Sequence, residues 1–251
     1  LGACAAFGLA VATAWSAPAT DLFISEYIEG GGNNKYIEIF NGTGASVNLS
    51  DYVLQLFSNG SGTPSQTLSL SGTLANNDVY VIENSGEALS VAADLSTTTA
   101  IAFNGDDAVA LYKTSTAAYV DIFGRIGEDP GSAWTSGTLT TVNKTLVRKS
   151  TVLGGVTANP ASGFPTLGTE WDQYDQDTVT YLGSHTFDGG TEEAPAFGAN
   201  PGPLGATVGV ARAPSPCSSR YSGPNGFSQM TAPVAALRQT STWCLSFVPQ
   251  V

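Results

Sequence analysis

The chain has 251 residues, of which 42% are hydrophobic and only 12% are charged. The apolar share is large enough for a buried core in one large or two small domains, while charged residues are about half as frequent as usual. The formal net charge of −12 repels polyanions, so direct binding of nucleic acid by the surface is disfavoured.

The N-terminal region has the pattern of a secretory signal peptide. An apolar run from Ala5 to Trp15 precedes the small residues Ser16 to Ala19, and it is too short to span a membrane. Cleavage after Ser16 or after Ala19 fits the pattern. Because the first residue is Leu1, we expect residues 1–19 to be a signal peptide whose start is missing, and the mature protein to be secreted.

Residues 21–57 predict strand, loop, strand, turn, strand. The first strand runs from Leu22-Phe23-Ile24 into Glu26-Tyr27-Ile28, and the run 30–34, GGGNN, follows it as a loop. Residues 36–40, YIEIF, alternate with period two, as a half-buried strand does. An Asn-Gly turn follows, and residues 52–57, YVLQLF, form the next predicted strand.

Further strand patterns recur as far as Phe187. We predict strands at 66–70, 79–82, 119–123 and 144–149, and a hairpin that pairs 101–103 with 109–112 across the turn 104–107. No apolar period of 3.6 residues persists for three turns, so helix content should be low. Short strands at this spacing predict an all-β fold, an antiparallel sandwich or barrel.

The composition changes after Asp188. Residues 188–225 are rich in Gly, Pro, Ala and Ser, and the residues up to 251 lack a clear period, so we place a domain boundary near Phe187 and expect an irregular tail over 188–251. Cys217 and Cys244 are an even pair if Cys4 is removed with the leader. They are the candidates for a disulfide bond in the tail.

Five motifs follow one another along the chain: ISEYIE (24–29), KYIEIFN (35–41), VNLSDYVL (47–54), FNGDDAVALYK (103–113) and VDIFGRIG (120–127). Their order and spacing resemble the lamin-tail domain. They are most similar to the copy at the front of secreted bacterial extracellular endonucleases and exonucleases, and WDQYDQDTVTYLGSHT (171–186) resembles the segment that closes that copy. The resemblance covers 21–187 and implies an immunoglobulin-like β-sandwich without a catalytic centre.

Paired acidic residues are the first candidates for chemistry. Glu26 and Glu38 occupy matched places on adjacent predicted strands, so on a shared face they could bind a cation or shift each other's pKa. We expect them instead to face solvent or to pair with Lys35 or Arg148. Their use as a general acid and base would require a cleft, which the sequence does not indicate.

Two further acidic groups could serve a turn or a metal ion. For Asp106 and Asp107 we expect turn capping, since calcium would need about six to eight oxygen ligands. Asp172, Asp175 and Asp177 form D-x-x-D-x-D and are the candidates for a metal, with calcium as the ion. Their pattern lacks the glycine and the distal glutamate of a calcium loop. The other interpretation is a closing segment that packs its aromatic residues over the sandwich.

The remaining polar residues indicate no catalytic centre. His185 is the only histidine and is expected to be structural, because neither a serine triad nor a metal-dependent nuclease site is otherwise present. Lys144, Arg148, Lys149 and Arg125 could form a small basic patch, although charge balancing along one strand is the alternative. No catalytic residue and no cofactor-binding residue is predicted.

These patterns predict a secreted, non-catalytic binding or spacer module that is the N-terminal part of an extracellular nuclease. Two alternatives remain open: a fragment of a metal-dependent extracellular DNase whose catalytic domain is missing, and a calcium-dependent surface adhesion domain. The binding partner and the oligomeric state do not follow from the sequence.

Overall fold

The computed structural model describes residues 17–190. Within them the chain forms two larger sheets of six and four strands and two small two-stranded sheets. The strands are β1 Phe23–Glu29, β2 Lys35–Asn41, β3 Val47–Asn48, β4 Tyr52–Phe57, β5 Gln66–Ser69, β6 Thr73–Leu74, β7 Asp78–Asn84, β8 Leu95–Thr97, β9 Ala108–Lys113, β10 Ala118–Phe123, β11 Thr135–Ser136, β12 Leu139–Thr140, β13 Lys144–Arg148 and β14 Trp171–Tyr174.

The strand order explains how distant parts of the chain meet. The six-stranded sheet has the order β14-β13-β1-β2-β7-β8, and the four-stranded sheet has the order β10-β9-β4-β5. Neighbours pair antiparallel except β7 and β8, which are parallel. The only α-helix in residues 17–190 is α1, Leu167–Glu170, and two 3₁₀ turns lie at Leu49–Asp51 and Ser58–Gly60. The predicted all-β, immunoglobulin-like sandwich with little helix is confirmed.

The main core lies between the two larger sheets. Tyr27 of β1 stacks on Phe103 and Phe123, with ring centroids 4.7 Å and 4.2 Å away. Trp171 of β14 packs edge-on against Phe123 at 5.2 Å and is fully buried. Each large apolar side chain buried in this way contributes about 1.5–3 kcal/mol. The aromatic residues of 171–174 therefore belong partly to the core.

The predicted hairpin at 101–112 is wrong. Ile101 and Phe103 are buried and Ala102 is exposed, but the three residues do not form a strand. Strand β9 pairs instead with β10 and with β4, so both of its edges are occupied. Asp107 holds the 104–107 turn in its own arrangement. Its carboxylate accepts a hydrogen bond from the backbone N–H of Asn104 at 2.7 Å, which caps the turn, and one from the backbone N–H of Asn59 at 2.8 Å, which ties the turn to the segment after β4. The expected turn-capping role of this aspartate is confirmed.

The two central strands of the six-stranded sheet are covered on both faces. All seven residues of β1 and all seven of β2 are buried. A second apolar cluster covers the outer face of this sheet, with Phe23, Ile28, Tyr36, Phe40, Val79 and Val81 from the strands and Leu89, Val91, Ala93, Val179, Leu182 and Phe187 packed against them. Polar residues at outward positions of β1 and β2 are consequently removed from water.

Candidate functional site

A segment after β14 covers the outer face of the six-stranded sheet. We call residues 178–188 the strap. Its backbone is fastened at each end: the Thr145 hydroxyl donates to Thr178 O at 2.8 Å, and Asp188 N donates to Ser150 O at 2.8 Å. Between these points Val179, Leu182 and Phe187 pack against the apolar residues of the sheet. The strap therefore closes the site described below.

Two glutamates face each other beneath the strap. Glu26 of β1 and Glu38 of β2 are direct partners in the antiparallel register. Directly opposite residues project to the same face, so both carboxyls share the outer side of the sheet. Each residue is only 1% exposed. The expectation that they face solvent or pair with Lys35 or Arg148 is wrong, because Lys35 pairs with Glu29 and Arg148 pairs with Asp121.

The two carboxyls have different hydrogen-bond partners. Glu38 accepts from the Ser25 hydroxyl at 2.6 Å and from the backbone N–H of Gly183 in the strap at 2.7 Å. Neither oxygen of Glu26 has a hydrogen-bond partner within the described residues. Glu38 thus links the sheet to the strap, whereas no hydrogen bond within the described residues offsets the burial of the Glu26 carboxyl.

This asymmetry determines the charge of the pair. Burial, together with the neighbouring charge of Glu38, raises the pKa of Glu26 to about 9. Burial also raises the pKa of Glu38, but hydrogen bonds from Ser25, Gly183 and Ser184 stabilise its charged form and limit the value to about 7. Near neutral pH Glu26 therefore keeps its proton, and the pair carries at most one negative charge.

His185 lies on the strap and packs against the outer face of the six-stranded sheet. Its ring packs against Phe40 and Phe23 with centroids 5.0 Å and 5.8 Å away, and its Nε2 has no hydrogen-bond partner in residues 17–190. Burial, assisted by the positive charge of Arg148, lowers the pKa of His185 to about 4. The imidazole is neutral at physiological pH and packs as an aromatic side chain, which agrees with the structural role expected from the sequence.

A small cavity of about 290 Å³ opens between the strap and the edge of the sheet. Its lining combines hydroxyl groups with aromatic rings: Ser150, Tyr174, Thr180, Tyr181, Ser184, His185 and Thr186, beside Val147, Arg148, Lys149 and Asp172. Tyr174 and Tyr181 are in contact, with centroids 4.4 Å apart. Neither Glu26 nor Glu38 lines this cavity, so the acidic pair has no access to a ligand bound there.

The three aspartates predicted as metal ligands have separate partners. Asp172 lies 4.0 Å from Lys149, and Asp175 forms an exposed ion pair with Lys144 at 3.1 Å. In residues 17–190 no three His, Cys, Asp or Glu side chains come together in an arrangement that could hold a metal ion. The structure does not bring the three carboxylates together, and calcium binding by Asp172, Asp175 and Asp177 stays a prediction.

Asp177 instead supports the glycine loop between β1 and β2. Its Oδ1 accepts from Gly31 N at 2.9 Å and from Asn34 Nδ2 at 3.0 Å. A Cβ atom at Gly30 would lie 2.2 Å from the same oxygen, so the close approach requires glycine there. The loop at 30–34 therefore binds the carboxylate of Asp177, which belongs to the closing segment.

The predicted basic patch does not form. Arg148 is fully buried in an ion pair with Asp121, while Lys144 and Lys149 lie near Asp175 and Asp172. Arg125 pairs with Glu128 at 2.8 Å. All four cations are balanced by nearby carboxylates, as the charge-balancing alternative requires.

Comparison with known proteins supports part of the sequence interpretation. Residues 16–127 match the Lamin Tail Domain family. No curated protein and no solved structure matches the chain significantly. The match supports the lamin-tail domain predicted from the motifs, and such a domain is a non-catalytic, immunoglobulin-like fold. Strands β13 and β14 follow the matched residues in the chain, yet they complete the same six-stranded sheet.

Several predictions fall outside residues 17–190 or remain untested. Cys217, Cys244 and nearly all of the predicted signal peptide and tail lie outside the described residues. No helix within the described part is long and apolar enough to cross a membrane. The resemblance to the nuclease-associated copies of the lamin-tail domain stays a prediction.

Proposed function

We propose that the chain is a secreted, non-catalytic module at the N-terminal end of a bacterial extracellular nuclease. The observation that carries this proposal is the lamin-tail match over residues 16–127, read together with the closing motif at 171–186. The closing motif supplies β14 and the strap, so it is an integral part of the sandwich. The sandwich would space or present the parts of the enzyme that bind and cleave DNA.

The buried acidic pair supports a role without catalysis. A general acid or base must reach the reacting group within hydrogen-bond distance or through one water molecule. Glu26 and Glu38 are 1% exposed and lie beneath the strap. Their raised pKa values follow from burial in the sheet, so these shifts do not indicate an active site.

The charge distribution supports a spacer that does not itself hold DNA. Affinity for the phosphate backbone comes from lysine and arginine side chains that release counterions on binding. The four cations around β13 and β10 are paired with carboxylates, and the formal net charge is −12. We expect binding of DNA to be carried by another part of the secreted enzyme.

The decisive experiment compares the 251-residue chain with the native secreted product of its gene. We expect the native product to be much heavier than the 25.7 kDa of this chain and to nick supercoiled plasmid in the presence of a divalent cation. The purified 251-residue chain should neither nick plasmid nor change the anisotropy of labelled duplex DNA at low salt. A native product of the size of this chain, or nicking by the chain alone, would contradict the proposal.

A further inference from the structure

The strap is held on the sheet by scattered contacts. Its internal backbone bonds are local, as from Leu182 N to Val179 O at 3.3 Å, and it is not a strand of the sheet. Between its two ends, the polar links to the sheet are few: the backbone N–H groups of Gly183 and Ser184 donate to the Glu38 carboxyl, and Tyr181 shares a hydrogen bond with Tyr174. Segments with few backbone bonds to their surroundings open at lower free energy than the strands beneath them.

The strap also encloses a group that water would ionise. Glu26 has no hydrogen-bond partner among the described residues and lies opposite a second carboxyl. Burial of an unpaired charge is costly, and a second negative charge nearby adds repulsion. When the strap lifts, solvent can hydrate both carboxylates, so ionisation favours the open form.

We propose that the strap opens from the sheet as the pH rises above neutral, and that ionisation of the Glu26–Glu38 pair drives the opening. Opening would uncover the apolar outer face of the sheet around Phe23 and Phe40, whose rings pack against Phe187 of the closed strap. The closed strap is thus the form in which the pair is at least partly protonated.

The surrounding charges do not reverse this direction. Asp94, which precedes β8, raises the pKa of Glu38 further, and Asp172 of β14 adds another negative charge near Tyr174. Arg148 of β13 is engaged by Asp121. The hydrogen bond with Tyr181, together with burial, raises the pKa of Tyr174 to about 12, so this phenol is neutral near pH 8. His185 is already neutral above pH 5, because burial lowers its pKa to about 4.

The difference in the pKa of Glu26 between the closed and open forms sets how steeply strap opening depends on pH. Glu26 holds its proton in the closed form up to about pH 9, whereas an exposed glutamate has released it above about pH 4.5. Between these values, opening releases one proton from Glu26, so the opening equilibrium constant rises about tenfold per pH unit. Glu38 adds to the effect only below about pH 7.

Limited proteolysis of the whole chain tests the proposal. Chymotrypsin cleaves after Tyr181, Leu182 and Phe187, and cleavage inside the strap is identified from fragment masses. A peptide of residues 177–190 corrects for the pH dependence of the protease itself. From about pH 7.5 to about pH 8.5, we expect the corrected rate of strap cleavage in the wild-type chain to rise about tenfold.

Two isosteric variants distinguish the effect of Glu26 from the effect of removing any one negative charge. Glu26→Gln removes the titrating group without breaking a hydrogen bond, and its cleavage rate should rise less than about threefold over the same range. Asp129→Asn removes one charge from an exposed turn and should behave like the wild type, since asparagine can still accept from Gly131 N. A wild-type rate that stays constant, or an equal rise in the Glu26→Gln variant, would overturn the proposal.

Discussion

Arg148 and Asp121 form an ion pair that joins the two large sheets. The distance from Arg148 Nη1 to Asp121 Oδ2 is 2.8 Å, and neither side chain is exposed. Asp121 also accepts from the backbone N–H groups of Ile24 and Val156, each at 2.8 Å. Ile24 lies at a register shift between β1 and β2, so this carboxylate bonds backbone at an irregularity of the strand. One aspartate thereby connects β10, β13, β1 and the loop at 156.

Asp121→Ala should be strongly destabilising. The substitution leaves Arg148 charged and buried and removes the acceptor of two backbone N–H groups. We expect the free energy of unfolding, measured by urea denaturation, to fall by about 3–5 kcal/mol.

The double variant Asp121→Leu with Arg148→Met is the matched control for this prediction. It removes both charges and should recover part of the loss, because replacing a complete buried pair is less costly than breaking it. Equal stabilities of Asp121→Ala and the wild type would show that the pair does not join the sheets.

Glu26→Gln should make the protein less sensitive to alkaline pH. The pKa of Glu26 is raised to about 9 in the folded state from 4.5, so the folded state binds more protons between these values. The free energy of unfolding of the wild type should therefore fall as the pH rises through this window, by about 1.4 kcal/mol per pH unit from this group. Below about pH 4.5 the group is protonated in both states and contributes no pH dependence.

Urea denaturation of both proteins between about pH 6 and about pH 9 measures this effect. The variant should show a shallower profile and should be the more stable protein at the alkaline end. Parallel profiles for the two proteins would mean that Glu26 ionises in the folded state as easily as in water.

Gly105→Ala should be destabilising because the turn packs tightly against the following segment. A Cβ atom at Gly105 would lie 2.7 Å from the Cα and Cβ atoms of Val142, and backbone can yield only slightly. We expect a loss of about 1–3 kcal/mol in urea denaturation. Gly62→Ala is the control: no atom lies within 4 Å of its Cβ position, so its effect should stay within about 0.5 kcal/mol.

Substitutions of Asp177 distinguish a loop support from a calcium ligand. Asp177→Asn keeps an oxygen acceptor for Gly31 N, and asparagine tolerates the φ of +61° at this position. This variant should be about as stable as the wild type, with calcium or with EDTA. Asp177→Ala should lose about 1–2 kcal/mol in both conditions. If calcium raised the melting temperature of the wild type but not of Asp177→Asn, the predicted calcium site would gain direct support.

The sequence alone determined most of the longer strands and the fold class. The alternation in YIEIF at 36–40 corresponds to β2, and the apolar run at 79–82 corresponds to β7. Such patterns can be recognised because the two-residue period of a strand depends only on neighbouring residues. One turn motif led to a wrong strand pairing. The Asn-Gly-Asp-Asp run at 104–107 predicts a hairpin, but Asp107 binds Asn59, which is 48 residues away in the chain.

Only the tertiary structure decided what the polar residues do. The glutamates of β1 and β2 occupy matched positions in the sequence, yet their burial depends on a strap that follows more than 140 residues later. Arg148 lies on a strand whose sequence suggests an exposed basic surface. Its charge is instead neutralised by Asp121 of the other sheet. Burial and pairing are set by which segments the sheet order brings together, and these long-range contacts leave no periodic signal in the residues themselves.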